Sequence, residues 1–568
     1  MELMKRFLYP LGQPEVKREV EEIASKTGLS ILESAVFYNR HITDIEEIGK
    51  TLDKSIDDLQ DARLMEDGVL AAETIMESIE NGEEILLYSD YDADGWGSSV
   101  VGYNMFKELG SAVHLYSNTR NMGYGICVDG VDKVLAMYPN IKLIVTADNG
   151  IVAFEGIDYA ISKGLKVVVT DHHQPDASGK MTNAIANVNP HRKDCKYPFK
   201  QLCGAAVLWK VLSICFFIKG IPFKHVNRYL DIVATATVAD VVELTGENRV
   251  ICHHGLKMIS ENCRIQWKVF KDVFSDYNRI EAVDARTIGF SFGPAINAIS
   301  RMQGSIQKAV NAFLTEDESK IREIVNELKV VNKERKLLTA DFCNIAMQEA
   351  ELQADYPIII INNTEFFEGV VGLVAGRVKE AVNKPVIVLT DGHNNNWRGS
   401  GRSIADYHIK EALDAIQAET GLMQGYGGHS QACGLSVSNE NLEDLKFALI
   451  NHASDIPAEA FVKKVVIDYE AKESEIDQHF FDKIKNLEPF GNGFRDPIIG
   501  IKDFIPEEIK FIGSDNQHIV LKGKHFDVVS WYGAVSVAKG VPSSFTVSGR
   551  LERDEYGIKL MVEPEDIQ

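Results

Sequence analysis

The chain is predicted to be an α/β protein: a parallel-sheet domain, a long linking helix, a second α/β domain and a small C-terminal β-barrel. Three observations predict this. From about residue 83, short apolar strand-like runs alternate with helical stretches, as in a parallel sheet covered by helices on both faces. After residue 305 a long helical periodicity leads into a second strand–helix–strand unit. After Pro489-Phe490-Gly491, closely spaced strand-like pieces with Gly and Asp turns replace the helices, the pattern of a small barrel. The expected segments are 1–80, helical; 81–304, parallel-sheet domain; 305–352, connecting helices; 353–455, second α/β domain; and 456–568, linker and barrel.

Taken in order, Pro14 to Ala24 and Asp61 to Ile79 are amphipathic and helical. Glu84 to Tyr88 is a strand and Gly95 to Leu109 a helix. Ile141 to Thr146 is the second strand, Val152 to Lys163 the second helix, and Leu165 to Thr170 the third strand. Helices dominate from Gly204 to about Phe274. In Ser305 to Leu352, Val310, Leu314, Ile321, Ile324, Val325, Leu328 and Val331 keep helical spacing, with Glu334, Arg335 and Lys336 on a solvated face. Tyr356 to Ile361 and Pro385 to Thr390 are strands around a helix from Val370 to Val382. A Gly/Ser-rich segment, a helix from Ile409 to Ile416 and a Gly-rich run follow. The tail pieces are Glu508 to Ile512, His518 to Leu521, Phe526 to Trp531, Phe545 to Leu551 and Gly557 to Val562.

The 568 residues are 45% hydrophobic and 25% charged, a globular composition with room for about three or four domains. A net charge of -23 argues against a broad basic face for nucleic acid. A nucleic-acid enzyme with this balance needs a local groove and bound cations. The eight cysteines contain no CxxC pair and suggest neither a zinc site nor a disulfide framework. The first residues lack a signal-peptide core, and the most apolar stretch, Leu212 to Ile218, is too short to span a bilayer. No membrane association is expected.

Each of the first three strands ends in potential metal ligands: Asp90, Asp92 and Asp94 before Gly95; Asp148-Asn149-Gly150; and Asp171-His172-His173. Ligand sites of open parallel sheets gather at the carboxyl ends of strands. Carboxylate and imidazole suit Mn²⁺ or Mg²⁺ without thiolate. Two such ions about 3.5–4 Å apart hydrolyse phosphodiesters, and Asp148 is the candidate to bridge them. Singly, each motif reads more readily as structure. The first also occurs in calcium loops, but the twelfth position counted from Asp90 is Val101 rather than Glu. A lone Asp-Asn-Gly is usually a turn. Three together, each after a strand, reverse that balance.

These motifs resemble the DHH phosphoesterase family, and within it the RecJ exonucleases. The resemblance continues through Ala236-Thr237-Val238-Ala239-Asp240, Phe292-Gly293-Pro294-Ala295-Ile296-Asn297-Ala298 with Arg301, Gly369 to Ala375, Gly399-Ser400-Gly401-Arg402-Ser403, Gly427-Gly428-His429, and Leu487-Glu488-Pro489-Phe490-Gly491. It implies a DHH domain, a DHH-associated substrate-binding domain over 353–455, and an OB-like nucleic-acid-binding domain within 456–568. It implies two Mn²⁺ or Mg²⁺ ions held by Asp90, Asp92, Asp94, Asp148, His172 and Asp240, with His173 at the scissile phosphate. It also implies 5′-to-3′ release of mononucleotides from single-stranded DNA in repair and recombination. Arg120, Asn297, Arg301, Ser400, Arg402 and His429 are the expected substrate contacts, four of them around a 5′ phosphate: Arg120, Arg301, Ser400 and Arg402. Of the tail aromatics, Trp531 is a candidate to stack bases, while Phe526 reads as barrel core.

The expected partners are single-stranded DNA and a single-strand-binding protein or a helicase, with the chain a cytoplasmic monomer. Three positions depart from the family pattern. Tyr88 stands where many members carry a metal-binding His, Ala295 replaces an Arg, and Phe367-Glu368 stands where Trp-His is usual. The rival readings are another DHH oligonucleotide phosphodiesterase or phosphatase, and an inactive DHH scaffold of a replication complex. The intact acid set disfavours the second.

Overall fold

The computed structural model describes residues 5–275, 280–392, 395–537, 542–554 and 556–567. Two compact units emerge, Met1–Leu8 with Val330–Val465, and Tyr9–Lys329 with Val466–Gln568. Within the second of these, helices α1 (Pro14–Thr27), α2 (Ile31–Tyr38), α3 (Ile45–Asp53) and α4 (Gly68–Glu80) precede the sheet. In α1, Val16, Val20 and Ile23 are the buried positions, and left-handed Gly28 stops the helix. Ser30 and Glu33 form a capping box that starts α2. Within the segment expected to be helical, Lys5–Leu8 is a strand.

The parallel sheet contains β1 (Glu84–Ser89), β2 (Val113–Ser117), β3 (Ile141–Ala147), β4 (Lys166–Thr170) and β5 (Ala186–Val188), in the spatial order β2-β1-β3-β4-β5. All four pairings are parallel. Crossover helices α5 (Ala93–Leu109), α6 (Val128–Met137) and α7 (Phe154–Ser162) make that possible. Strand alternation divides the two faces. Leu86 and Tyr88 pack with Val131 and Val134 of α6 and Ile157 of α7. Leu87 points the other way, toward α5 and α8 (Gly204–Ile218). A Cβ on Gly102 of α5 would fall 2.4 Å from Leu87 Cδ2 and 2.9 Å from Leu208 Cδ2, so the glycine permits that close approach. Helices α9 (Leu230–Ala239), α10 (Gly246–Ser260), α11 (Ile265–Phe274), α12 (Gly293–Gln303) and α13 (Gln307–Leu314) complete this part. The connecting segment is two helices, α13 and α14 (Glu318–Leu352).

In the other unit, β6 (Ile359–Asn362), α15 (Glu368–Val382), β7 (Val386–Asp391), β8 (Asn396–Arg402), α16 (Ile409–Thr420), β9 (Met423–His429) and β10 (Ala432–Ser438) build a mixed sheet ordered β9-β10-β8-β7-β6. The segments that looked Gly-rich and irregular are strands. The C-terminal part is a seven-stranded sheet of β11 (Tyr469–Glu470), β12 (Ile499–Phe504), β13 (Glu508–Ile512), β14 (His518–Lys522), β15 (Asp527–Ser530), β16 (Phe545–Asp554) and β17 (Gly557–Ile567), ordered β11-β12-β16-β17-β15-β14-β13. It is the expected OB-like tail. Phe526 is core, as expected, and Trp531 is exposed.

The N-terminal helices and the tail share one core. Ile23, Leu32, Val36, Phe37 and Ile48 pack in the same cluster as Phe494, Ile499, Phe504, Ile519 and Phe545. A buried ion pair, Arg40 Nη1 to Asp468 Oδ1 at 2.8 Å, ties the two stretches together. Arg249 of α10 is buried and donates to the carbonyls of Thr51, Leu487, Glu488 and Pro489. Its guanidinium lies 4.3 Å from the centre of the Phe494 ring. Phe494→Ala is therefore expected to cost about 3–5 kcal/mol, read as a lower urea midpoint. An unchanged midpoint would show that this core does not couple the two ends.

Candidate metal centre

The chain leaves β1 at Ser89 and turns through Asp90 into α5. Asp92 caps that helix, its Oδ1 accepting from Asp94 N–H at 2.9 Å and Gly95 N–H at 3.0 Å. A Cβ on Gly95 would sit 2.1 Å from the Asp90 carbonyl oxygen, so only glycine allows the turn. Asn297 of α12 accepts from Ala93 N–H at 2.9 Å and steadies the same turn. Asp94 points down to the N-terminus of α8, where Gly204 and Ala205 N–H donate to its two oxygens at 2.6 and 2.9 Å.

After β3, Asp148 takes the left-handed conformation, φ 63°. Asn149 holds it there, donating from Nδ2 to the carbonyls of Tyr88 and Ala147 and accepting from Ile126 N–H. A Cβ on Gly204 would lie 2.5 Å from Asp148 Cβ, so that helix start must be glycine. After β4, Asp171 accepts from the N–H groups of Ile151, His172 and His173 and lies 2.9 Å from His173 Nδ1. Asp171 thereby orients the histidines instead of facing the cavity. Asp240 follows α9 directly.

These side chains converge. Ligand atoms of Asp90, Asp92 and Asp148 lie within 4.8 Å of one another, as do those of Asp94, His172 and Asp240, and those of Asp148, His172 and His173. His172 Nε2 is 3.1 Å from Asp148 Oδ1, and 3.7 Å from both Asp94 Oδ2 and Asp240 Oδ2. Asp148 and His172 each belong to two groups, which makes two adjacent cation positions possible. The short His172–Asp148 approach is not a hydrogen bond. Asp90 Oδ1, Asp148 Oδ1 and His172 Nε2 are buried polar atoms without a hydrogen-bond partner. Buried orphans of this kind cost free energy unless something pairs them.

The electrostatics agree. Burial and neighbouring carboxylates push Asp90, Asp148 and Asp240 well above the usual carboxylate range, and Asp94 up to about 6. Burial and cationic His173 bring His172 down to about 3, so its imidazole is neutral and free to ligate. Burial disfavours charge on His173, but Asp171 outweighs it and holds the ring at about 9. The donor set of carboxylates and neutral imidazole, with its unpaired oxygens, fits divalent cations of the Mn²⁺ or Mg²⁺ type.

The expected substrate contacts fall into two places. Arg120 lies 4.6 Å above the Tyr91 ring, and its Nε is buried without a partner. Burial and the Asp90 carboxylate push the Tyr91 hydroxyl up to about 12, against the opposing pull of Arg120 and Arg301. In the other unit, Ser400 and Arg402 of β8 approach Gly372 of α15, where a Cβ would meet Ser400 Oγ at 3.3 Å and Arg402 Nη2 at 3.2 Å. Arg402 and His429 both pair with Ala432 across adjacent strands. Asn297 braces the acid loop through its amide oxygen rather than presenting that atom to a substrate. Sequence reasoning missed Tyr124. Its hydroxyl donates to the Asp148 carbonyl at 2.9 Å and lies 2.8 Å from His173 Nδ1. The only signal was an aromatic residue set between Gly123 and Gly125.

Three stretches match known families: the DHH family N-terminal domain over residues 84–237, the DHHA1 domain over 355–454 and the RecJ OB domain over 467–563. The chain is 27% identical over 521 residues to the single-stranded-DNA-specific exonuclease RecJ of Haemophilus influenzae, covering 89% of this chain and 88% of that one. The chain is thus similar to the RecJ exonucleases over most of its length, with stretches that match the DHH, DHHA1 and RecJ OB domains. The RecJ of Escherichia coli is 29% identical over 508 residues, with 85% of each chain covered. The crystal structure of RecJ from Thermus thermophilus in complex with Mn²⁺ shares the fold: TM-score 0.81 at 24% identity, covering 100% of this chain and 79% of that one.

Within this RecJ-type frame, the Tyr88 side chain belongs to the core. Its hydroxyl bonds Asn118 Oδ1, its ring packs 5.0 Å from that of Tyr116, and the hydroxyl abuts Gly130 of α6. Ala295 is buried within α12. Phe367 caps α15, and Glu368 lies 3.8 Å from Arg398. Because the crowded acids must lose protons to accept a cation, Mn²⁺ affinity should rise with pH from about 5 to about 8, with proton release. Calorimetry in two buffers of different ionisation enthalpy measures this, and a pH-independent affinity would refute a carboxylate site.

Proposed function

We infer that this RecJ-type chain is a single-strand-specific DNA exonuclease that removes mononucleotides 5′ to 3′ by phosphodiester hydrolysis in repair and recombination. The observation that carries the reading is the convergence of Asp90, Asp92, Asp94, Asp148, His172 and Asp240 at one edge of the parallel sheet, with Asp90, Asp94 and Asp148 buried and unpaired atoms on Asp90, Asp148 and His172. The relatives' names supply the substrate class. Two divalent ions, Mn²⁺ or Mg²⁺, would supply Lewis acidity at the scissile phosphodiester.

The chain's own residues set the geometry. Asp148 faces both candidate positions. Asp171 and Tyr124 fix the His173 ring, whose positive charge at neutral pH sits where charge grows on the phosphate. Arg120 offers an unpaired buried donor beside Tyr91 and is assigned, with Arg301, to the terminal 5′ phosphate that sets direction. Ser400, Arg402 and His429 are assigned to further contacts with the DNA. We place the chain in the cytoplasm as a monomer, working beside a single-strand-binding protein or a helicase. Among the described residues no helix is long and apolar enough to cross a membrane.

Single-stranded DNA labelled at the 5′ or the 3′ end and digested with Mn²⁺ should release a labelled mononucleotide early from the 5′ end alone. Asp148→Ala should abolish release. Early release from the 3′ end, or an active Asp148→Ala, would refute the assignment. Arg120→Ala should lower kcat/KM about tenfold on 5′-phosphorylated DNA, the size of one charge-assisted hydrogen bond, and less on 5′-hydroxyl DNA. Equal losses on both would remove Arg120 from the phosphate pocket.

A further inference from the structure

The loop that carries Asp240 is gripped by residues 487–494, the joint leading into the long strands of the C-terminal sheet. Asp240 N–H still bonds to the Ala236 carbonyl at the end of α9, and Val241 N–H to that of Val238. Val241 then turns left-handed, φ 62°. A residue just past a helix end commonly does so, but glycine or asparagine ordinarily fills the place. For a β-branched residue this is a strained conformation, which persists only where the surroundings over-determine it. Packing of the valine side chain does not hold it, because Val241 is 66% exposed.

Two hydrogen bonds from Asn492 do. Asn492 Nδ2 donates to the Val241 carbonyl at 3.0 Å, and the Asn492 carbonyl accepts from Leu244 N–H at 2.7 Å. Asn492 is exposed but sits in a turn closed by its own backbone. Gly491 N–H donates to the Phe494 carbonyl at 2.9 Å, and Gly493 takes φ 75°, closing a tight turn with Asn492 at its tip. The turn presses on the loop so closely that a Cβ on Gly491 would meet Leu244 Cδ1 at 2.6 Å, and one on Gly493 would meet Glu243 Cβ at 3.1 Å. Phe494, fully buried beneath it, packs against Phe37, Phe490 and the Arg249 guanidinium. From the other side, Asn248 Nδ2 donates to the Glu243 carbonyl at 2.9 Å.

We propose that Asn492 is a positioning residue for Asp240: the joint before the C-terminal sheet holds Val241 left-handed and so keeps the Asp240 carboxylate in the metal centre. Asp240 and Val241 share a peptide plane. Relaxation of Val241 to negative φ rotates that plane and withdraws the Oδ2 now 3.7 Å from His172 Nε2. The inference rests on the two-metal reading above. It adds that the C-terminal domain helps to build the metal centre.

The test is Mn²⁺ affinity of the full chain, by calorimetry, for wild type, Asn492→Ala, Val241→Gly, the double variant and Asp148→Ala. Asn492→Ala should weaken Mn²⁺ binding on the order of tenfold, in the range of outer residues that orient ligands. Its kcat should fall at limiting Mn²⁺ and return at saturating Mn²⁺, with KM for DNA and the melting temperature of the metal-free chain unchanged. Glycine takes φ > 0 without strain, so in the Val241→Gly background the same change should cost less than about twofold. Wild-type Mn²⁺ affinity in Asn492→Ala, an equal loss in both backgrounds, or a loss that follows a lower melting temperature would each overturn the proposal. Wild-type affinity in Asn492→Ala alongside lost binding in Asp148→Ala would overturn the clamp and leave the nuclease reading standing. A wild type that binds no Mn²⁺ would overturn both.

Discussion

Mutual repulsion of carboxylates in one small space is the constraint on which the rest of the structure depends. Asp90, Asp94 and Asp148 are buried, with Asp92 and Asp240 at their rim. Two like charges about 4 Å apart repel by roughly 4 kcal/mol at an effective permittivity of about 20. Such a cluster stays together only if the backbone forces it to and if positive charge is supplied. Helix starts give part of the second: α5 donates N–H groups to Asp92, and α8 donates to Asp94. The first comes from backbone conformations that would be unfavourable elsewhere, left-handed Asp148 and left-handed Val241. Local strain and crowded charge occur together here, as they do where binding geometry matters more than local stability.

Much of this was legible in the sequence because the ligands lie within a few residues of apolar strands, so the strand ends could be located and their acids grouped. Less visible were features that depend on what comes from far along the chain. Tyr88 looked like an altered ligand position. Its side chain belongs to the core beneath α6, since strand alternation turns it from the cavity. Strand β2 carries half-buried residues such as His114 and Tyr116, and its pattern is too weak to read alone. Strands β8 and β9 were hidden by their glycines. There the missing Cβ is what lets chains approach: a Cβ on Gly399 would lie 2.1 Å from the Val388 carbonyl oxygen, and one on Gly401 would lie 2.5 Å from Cys433 Sγ. A glycine run reads as loop unless the facing strand is known.

The acidic balance of the chain takes on a different meaning once the site is placed. Net charge describes the far field, whereas a phosphate held by a few groups responds to the near one. Near the acids, the positive groups are specific: His173 beside Asp171, and Arg120 and Arg301 beside Tyr91. A nuclease that grips one chain end and one phosphodiester needs few cationic contacts, so the excess of carboxylates elsewhere is compatible with its work.

The same reasoning changes how the C-terminal sheet is understood. In sequence it is a separate tail of short strands, and its match to the RecJ OB domain invites the view of an appended DNA-binding module. Its core nevertheless incorporates Phe37 and Ile48 from the N-terminal helices, and Arg249 of α10 satisfies three carbonyls of the joint at once. A guanidinium buried among carbonyls and an aromatic ring is stable only while those partners stay fixed. The joint therefore transmits order in both directions, bracing α10 and the Asp240 loop on one side and anchoring the sheet on the other. Those shared contacts are why the ligand set and the OB-like sheet form one architecture.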